Sequence, residues 1–173
     1  MKILYTDIDG VLSLSSEMYP KSTKWGSIHR FNAKAVKVFN NILEKTGAEI
    51  VVSSDWRIHF TLQQLQEIFV EWAGIIKPPI DVTPYIPGAT MQTIDEFRAK
   101  EILQHVEKHK PTAWVAIDDL ELQKGMLLWV AEEHFIHLPH MSEGIKQSSK
   151  ADKVIKLLNN NDKFNFRFKQ HNS

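Results

Sequence analysis

The chain has 173 residues, of which 43% are hydrophobic and 24% charged, and these values predict a single globular domain over residues 1–173. Its 21 basic and 21 acidic residues give a formal net charge of zero, which does not indicate nucleic acid as a partner but leaves a local basic patch open. The absence of cysteine excludes disulfides and thiolate chemistry, and without a signal-peptide pattern or an apolar run of about 18 residues we expect a cytoplasmic protein with no membrane partner.

The first third of the chain alternates apolar runs with helix signals. Residues 2–6 (KILYT) predict a short buried strand, and the polar, irregular residues 12–30 are typical of a loop or flap insert. Asn32 is suited to cap a helix that ends at Gly47. Residues 49–53 (EIVVS) predict a second strand, because they are β-branched and follow a turn.

Two capping-box patterns predict the next helices. Thr61 with Gln64 opens one, Thr93 with Glu96 opens the other, and apolar residues follow each pair at helical spacing. Each of these helices therefore has one face suited to pack on a sheet.

The second half of the chain adds three short apolar runs. Residues 80–83, 113–117 and 135–138 predict strands, whereas residues 120–134 fit either a helix or a loop. Ser149 is suited to cap a last helix. Strands that alternate with helices predict a parallel sheet covered on both faces, which is a three-layer α/β sandwich of Rossmann-like type.

Two segments lie outside this alternation. The insert at 12–30 is too short for a full cap domain, so we expect none. Residues 160–173 alternate aromatic with polar and basic residues, which predicts a C-terminal tail or an edge strand. A stacking platform for nucleic acid is the alternative for this tail.

Polar side chains terminate three of the predicted strands. In parallel sheets, ligands bind beyond the carboxyl ends of the strands, so these side chains should meet at one rim. They are Asp7 and Asp9, then Ser53 and Ser54, then Asp118 and Asp119.

The order of these groups along the chain resembles a known superfamily. A strand with DxDGV, a strand with SS, a basic residue on a helix and a strand with DD resemble the four motifs of haloacid dehalogenase-like (HAD) hydrolases, over residues 1–158. The resemblance implies a Mg²⁺-dependent phosphatase that acts through an aspartyl-phosphate. Within the superfamily, SSDWR and the later RAKEI resemble small phosphatase domains found with RNA-repair proteins, and Trp56 and Arg57 carry that finer match.

The first motif has a chemical reason beside the resemblance. A carboxylate at a strand end is rigidly aimed and can attack phosphorus, so we assign Asp7 as the nucleophile. Asp9 lies two residues on, where it can protonate the leaving oxygen and then deprotonate the attacking water. Gly10 permits the sharp turn beside the bound phosphate. A plain turn is the alternative explanation for these residues.

The paired acids after the later strand predict a metal site. Asp118 and Asp119 supply hard oxygen ligands suited to Mg²⁺, although a helix cap would also explain them. The resemblance implies that Asp7, the main-chain carbonyl of Asp9 and one or both of Asp118 and Asp119 hold the metal. Which of the last two ligates directly stays open.

Two further choices concern phosphate binding. Ser53 and Ser54 point to opposite sides of the strand, so one of them is expected to donate to phosphate, and the family pattern favours Ser53. Arg98 and Lys100 are candidates for the positive charge on the transferring phosphoryl group. Arg98 is favoured because its side chain can lean back toward the helix start, although the family more often has lysine.

The sequence thus predicts a phosphomonoester hydrolase whose substrate is a nucleotide, a nucleic-acid end or a phosphoprotein. One alternative is a non-catalytic phosphate- or metal-binding regulatory module, which the acid at Asp9 disfavours. Another is a phosphotransferase or mutase of the same superfamily, which the motifs do not exclude.

Overall fold

The structure, a computed structural model, describes residues 1–126 and 128–160. Beyond residue 160, the predicted tail or edge strand at 160–173 lies outside the described residues. The strands are β1 (Lys2–Thr6), β2 (Lys21–Thr23), β3 (Gly26–Ile28), β4 (Glu49–Val52), β5 (Asp81–Val82), β6 (Ala113–Asp118) and β7 (Phe135–His137). The α-helices are α1 (Ala33–Thr46), α2 (Trp56–His59), α3 (Leu62–Glu67), α4 (Ile94–His109), α5 (Leu128–His134) and α6 (Ser148–Asn159).

Five of these strands form a parallel sheet in the order β5–β4–β1–β6–β7. The central strand β1 pairs Thr6 with Val52 on one side and with Ile117 on the other. In chain order, β4 and then β5 add to one side of β1, and β6 and then β7 add to its other side. Strand order therefore reverses beside β1, and such a switch point opens a crevice at the carboxyl ends of the strands.

Helices cover both faces of the sheet, which confirms the predicted three-layer α/β architecture. Val115 and Ile117 of β6 face a core that includes Phe39 of α1 and Leu158 of α6. The alternate residues of β6 face a second core that α4 and α5 complete, with Trp114 as its largest fully buried side chain. Because β6 is buried on both faces, its sequence AWVAID reads as a continuous apolar run up to its final acid.

The first two predicted helix starts are confirmed. The Asn32 side chain accepts hydrogen bonds from the main-chain N–H groups of Lys34 and Ala35, both at 3.1 Å. Thr61 and Gln64 form a complete capping box at the start of α3. This helix then widens into a π-helical turn over Ile68–Trp72.

The caps predicted for the other two helices do not form. Thr93 precedes α4 but makes no capping bond, because its hydroxyl accepts instead from the main-chain N–H of Thr90 at 2.9 Å. Helix α6 begins at Ser148 after Gln147, so Ser149 lies inside the helix. A cap therefore depends on local competitors for the same hydroxyl as well as on the residue type.

The segment at 12–30 is more ordered than its composition suggests. Leu12 and Leu14 are fully buried, and β2 and β3 pair as a small antiparallel hairpin. In the part of the chain that the structure describes, the insert builds this hairpin and no cap domain. No helix among the described residues is both long and apolar enough to cross a bilayer.

Candidate active site

The carboxyl ends of the three central strands bring the predicted site residues to one rim. The N–H of Asp7 donates to the carbonyl of Ile117 at 3.1 Å, and the N–H of Ser53 donates to the carbonyl of Thr6 at 2.9 Å. The sheet hydrogen bonding thus continues past β1 and β4, and it fixes Asp7 beside Ser53 and the end of β6. This strand register places Asp7 at the carboxyl end of β1, where the sequence predicted it.

Three carboxylates converge at this rim. Oxygen atoms of Asp7, Asp118 and Asp119 all lie within 4.8 Å of one another. Asp7 is 6% exposed and Asp118 is 1% exposed, so burial raises the pKa of both carboxyls. Burial, followed by the neighbouring Asp7 charge, raises the pKa of Asp119 to about 6. Three crowded oxygen donors of this kind are the chemistry that a divalent cation such as Mg²⁺ requires.

A buried guanidinium is the positive partner of this cluster. Arg98 is 3% exposed, and its Nη1 lies 3.2 Å from Asp118 Oδ2 and 3.6 Å from Asp7 Oδ1. Its Nη2 donates to Asp55 Oδ1 at 2.9 Å, and its Nε lies 4.0 Å from Glu101 Oε2. Arg98 therefore carries a fixed positive charge at the acids, where a phosphoryl group would need it.

The other candidate cation lies elsewhere. Lys100 is exposed, and its Nζ sits over the ring of Phe97 at 5.2 Å from the centroid. Two residues apart on α4, Arg98 and Lys100 point in different directions. Arg98 is the one of the two that reaches the acidic cluster.

The two serines also differ in their contacts. The Ser54 hydroxyl lies near enough to the Asp7 carboxyl to lower its pKa, which burial raises, and the Ser54 oxygen lies 3.5 Å from the main-chain N of Trp56. The Ser53 hydroxyl is buried and has no hydrogen-bond partner among the described residues. The choice of Ser53 for phosphate binding stays a prediction, and Ser54 is the serine that lies beside Asp7.

Asp9 is held apart from the three converging acids. The indole Nε1 of Trp56 donates to Asp9 Oδ2 at 2.8 Å, and His29 Nδ1 lies 2.9 Å from Asp9 Oδ1. The Trp56 ring is 7% exposed and packs edge-on against Phe31. Trp56 is thus both a core residue and a polar partner, and the carboxylate of Asp9 is held in one orientation on the first-motif loop.

Gly10 is required by space as well as by conformation. Its φ of +76° lies in the left-handed region that side chains disfavour. A Cβ at this position would also lie 2.4 Å from Asp119 Oδ2. Gly10 therefore lets the first-motif loop approach the acid that follows β6.

Sequence reasoning missed Asp55 and Glu101, the two acids that complete the surroundings of Arg98. Arg57 forms a buried ion pair with Glu101 and donates to the carbonyl of Ser54 at 2.6 Å. Asp55 and Arg57 flank Trp56 in SSDWR, and Glu101 lies three residues after Arg98 on α4. That helical spacing was the available signal for Glu101, whereas Asp55 reaches Arg98 only through the fold.

This fold and site define a HAD-type domain of the phosphatase-type hydrolases. A model of the family described as "HAD domain in Swiss Army Knife RNA repair proteins" matches residues 3–149. The chain therefore belongs to that family of RNA-repair-associated HAD domains. No curated protein matches the chain. This chain is also similar to the crystal structure of a hypothetical protein from Xanthomonas campestris. The two have a TM-score of 0.46 and 13% sequence identity, and the match covers 90% of this chain and 82% of that chain.

The crowded acids should make the metal-free protein less stable as pH rises. The pKa of Asp119 is about 6 in the folded protein and 3.8 as the ordinary value, so the folded state binds more protons between these pH values. We therefore expect Asp119→Asn to raise the free energy of unfolding above pH 6 by about 1–2 kcal/mol, because water partly screens this half-buried group. Urea unfolding in excess chelator at pH 4.5 and 7.5 measures the change.

Asp152→Asn is the matched control, because Asp152 is exposed on α6. It should leave both the stability and its pH dependence nearly unchanged. A metal-free Asp119→Asn protein that is less stable than the wild type at pH 7.5 would contradict this electrostatic explanation.

Proposed function

We propose that this protein is a Mg²⁺-dependent phosphomonoester hydrolase that acts through an aspartyl-phosphate on Asp7. The observation that carries the proposal is the convergence of Asp7, the buried Arg98 and the Asp118–Asp119 pair at one rim of the sheet. This arrangement combines a nucleophile, a fixed positive charge and oxygen ligands for a cation. Membership of a HAD family supports the reaction class.

The first step transfers the phosphoryl group to Asp7. The Asp7 carboxylate attacks phosphorus, the bond from phosphorus to the leaving oxygen breaks, and Asp9 gives its proton to that oxygen. Arg98 is suited to stabilise the charge that develops on the phosphoryl oxygens, because its side chain is already fixed by acidic partners. Ser54 is suited to donate a further hydrogen bond, given its contact with Asp7.

The second step releases phosphate and restores Asp7. Asp9, now ionised, takes a proton from a water molecule, and the resulting hydroxide attacks phosphorus as the bond to the Asp7 oxygen breaks. Trp56 and His29 hold the two oxygens of Asp9, so the base keeps one orientation through the cycle. An acid held in this manner supports turnover over passive phosphate binding.

The donor set fits the metal that the family implies. One guanidinium cannot balance three close carboxylates, and burial, followed by the charges of neighbouring acids, raises the pKa values of Asp7, Asp118 and Asp119. We expect Asp7, the main-chain carbonyl of Asp9 and the Asp118–Asp119 pair to hold Mg²⁺. When bound, the ion would neutralise part of the substrate charge and orient the phosphate.

For the substrate, we propose the phosphorylated end of an RNA. The family description names RNA repair, and the insert after β1 forms a small hairpin with no cap domain among the described residues. A site without a cap leaves room for a large substrate. The zero net charge gives no general attraction to RNA, so binding would depend on the phosphate site and its immediate surroundings.

Activity should require a divalent cation. Phosphate release from an aryl phosphate should fall to background in excess chelator, because no metal ion then offsets the repulsion between the substrate anion and the carboxylates. Added Mg²⁺ should restore phosphate release. Colorimetric phosphate assay with elemental analysis of the protein gives the readout. Full turnover by protein shown to be metal-free would refute the requirement.

Asp7→Asn and Asp9→Asn should fail in different ways. Asp7→Asn removes the nucleophile and should abolish both turnover and covalent phosphate capture. Asp9→Asn keeps the nucleophile, so an aryl phosphate with a good leaving group should still phosphorylate the enzyme, and the phosphoenzyme should accumulate because no base activates water. For an alkyl phosphate the first step should slow by about 10²–10⁴-fold.

Rapid quench followed by intact-protein mass spectrometry distinguishes these two outcomes. Phosphorylation of Asp7→Asn at this site would show that the nucleophile is assigned wrongly. Identical behaviour of both variants with both substrates would show that the division of roles between Asp7 and Asp9 is wrong.

Phosphorylated RNA oligonucleotides should be hydrolysed at least as fast as small metabolites. The reason is that the described residues place no cap domain over the rim to enclose a compact substrate. A screen of RNA ends, nucleotides, phosphopeptides and sugar phosphates at equal concentration, with Asp7→Asn as the blank, measures the preference. Efficient turnover of one compact metabolite alone would contradict the substrate class while leaving the phosphatase chemistry intact.

A further inference from the structure

A second group of metal-ligand side chains lies away from Asp7. Asp81 begins β5, while His105 and His109 lie one turn apart on α4. Asp81 Oδ2 is 3.3 Å from His105 Nε2 and 3.9 Å from His109 Nε2, and each of the three residues offers a ligand atom within 4.8 Å of the other two. His105 lies seven residues beyond Arg98, which is about 10 Å along the helix. This cluster is therefore separate from the phosphate site.

The distances suit a small transition-metal ion. Histidines at positions i and i+4 share one face of a helix, so both rings can turn toward the same ion. Zn²⁺ with ligand distances of about 2.0–2.1 Å places tetrahedral donors about 3.3 Å apart. The separation between Asp81 and His105 has this value, at 3.3 Å, and the separation between Asp81 and His109 is 3.9 Å. Because the two rings stack at 15° to each other, the exposed His109 ring must rotate for both nitrogen lone pairs to meet at one ion.

The donor types also separate this cluster from the acidic one. Two imidazole nitrogens and one carboxylate suit Zn²⁺, Ni²⁺ or Cu²⁺, whereas Mg²⁺ prefers oxygen ligands throughout. Three protein ligands leave a coordination position for water.

A buried tyrosine fixes the innermost ligand. The Tyr5 hydroxyl lies 2.8 Å from His105 Nδ1, and both residues are buried. When His105 Nδ1–H donates to this hydroxyl, Nε2 carries its lone pair toward Asp81 and His109. An outer hydrogen bond of this kind is the usual means of orienting a histidine ligand.

The cluster is also open to solvent on one side. The His105 side chain is 4% exposed, whereas His109 and Asp81 are 31% and 40% exposed. The rings of His105 and His109 stack with centroids 4.1 Å apart. One ligand is therefore fixed in the core, and an ion can enter past the other two.

We propose that Asp81, His105 and His109 form a transition-metal site of the Zn²⁺ class that fastens the edge strand β5 to α4. The site is independent of the phosphatase proposal, because it shares no residue with the acidic cluster. The competing explanation is a plain His–Asp pair that joins the same two elements without an ion. Only the metal site requires His109 to bind an ion.

Zn²⁺ binding to the full chain tests the proposal. Isothermal titration with Zn²⁺ should show a site that His109→Gln and Asp81→Asn each weaken by at least about ten-fold. His140→Gln is the matched control, because His140 is exposed and outside the cluster. Titration with Co²⁺ should give the visible absorption of a nitrogen-ligated, four-coordinate ion in the wild type and the control, and lose it in His109→Gln.

Tyr5→Phe tests the outer hydrogen bond and should weaken Zn²⁺ binding by about 10–100-fold. Circular dichroism in chelator confirms that each variant is folded before metal is added. Absence of Zn²⁺ binding at micromolar concentration in the wild type overturns the proposal. So does a difference of less than ten-fold between His109→Gln and His140→Gln.

Discussion

The site depends on one buried positive charge, the guanidinium of Arg98. A buried charge is tolerated only where it is paired and hydrogen-bonded, and Arg98 meets that requirement with acids from separate parts of the chain. Asp7 directly follows β1, Asp118 ends β6 and Asp55 lies in the turn after β4. Glu101 adds an acid from the same helix. Arg98 thereby links α4 to the rim of the sheet, and the position of Asp7, the proposed nucleophile, depends on this network.

The same network leaves an excess of negative charge at the rim, and the proposed metal binding depends on that excess. Burial and mutual repulsion raise the pKa values of Asp7, Asp118 and Asp119, so the metal-free fold is under electrostatic stress. A bound cation would relieve this stress and stabilise the folded state through mass action. Under this proposal, stability and metal binding would be coupled, as expected where a binding site is formed at some cost to the stability of the fold.

The sequence predicted features that depend on neighbouring residues better than features that depend on distant ones. The strands and the acids that end them were predictable, because a buried parallel strand is a short apolar run and its carboxyl end faces the crevice. The contact of Asp55 with Arg98 joins residues 43 positions apart, and no local pattern indicates it. Ser53 and Ser54 are equivalent in sequence, and only the course of the chain after β4 sets Ser54 against Asp7. The cap expected at Thr93 failed because Thr90 competes for its hydroxyl.

A crystal structure of the full chain with Mg²⁺ and beryllium fluoride is the most direct test of the central claim. Beryllium fluoride bonded to a carboxylate oxygen mimics a phosphoryl group on that carboxylate. The arrangement of Asp7, Arg98 and the Asp118–Asp119 pair predicts beryllium bonded to an Asp7 oxygen, fluorine atoms facing Arg98, and Mg²⁺ ligated by Asp7 and that pair. Beryllium fluoride on another residue, or Mg²⁺ at a site that excludes Asp7, would contradict the assignment of Asp7 as the phosphoryl acceptor.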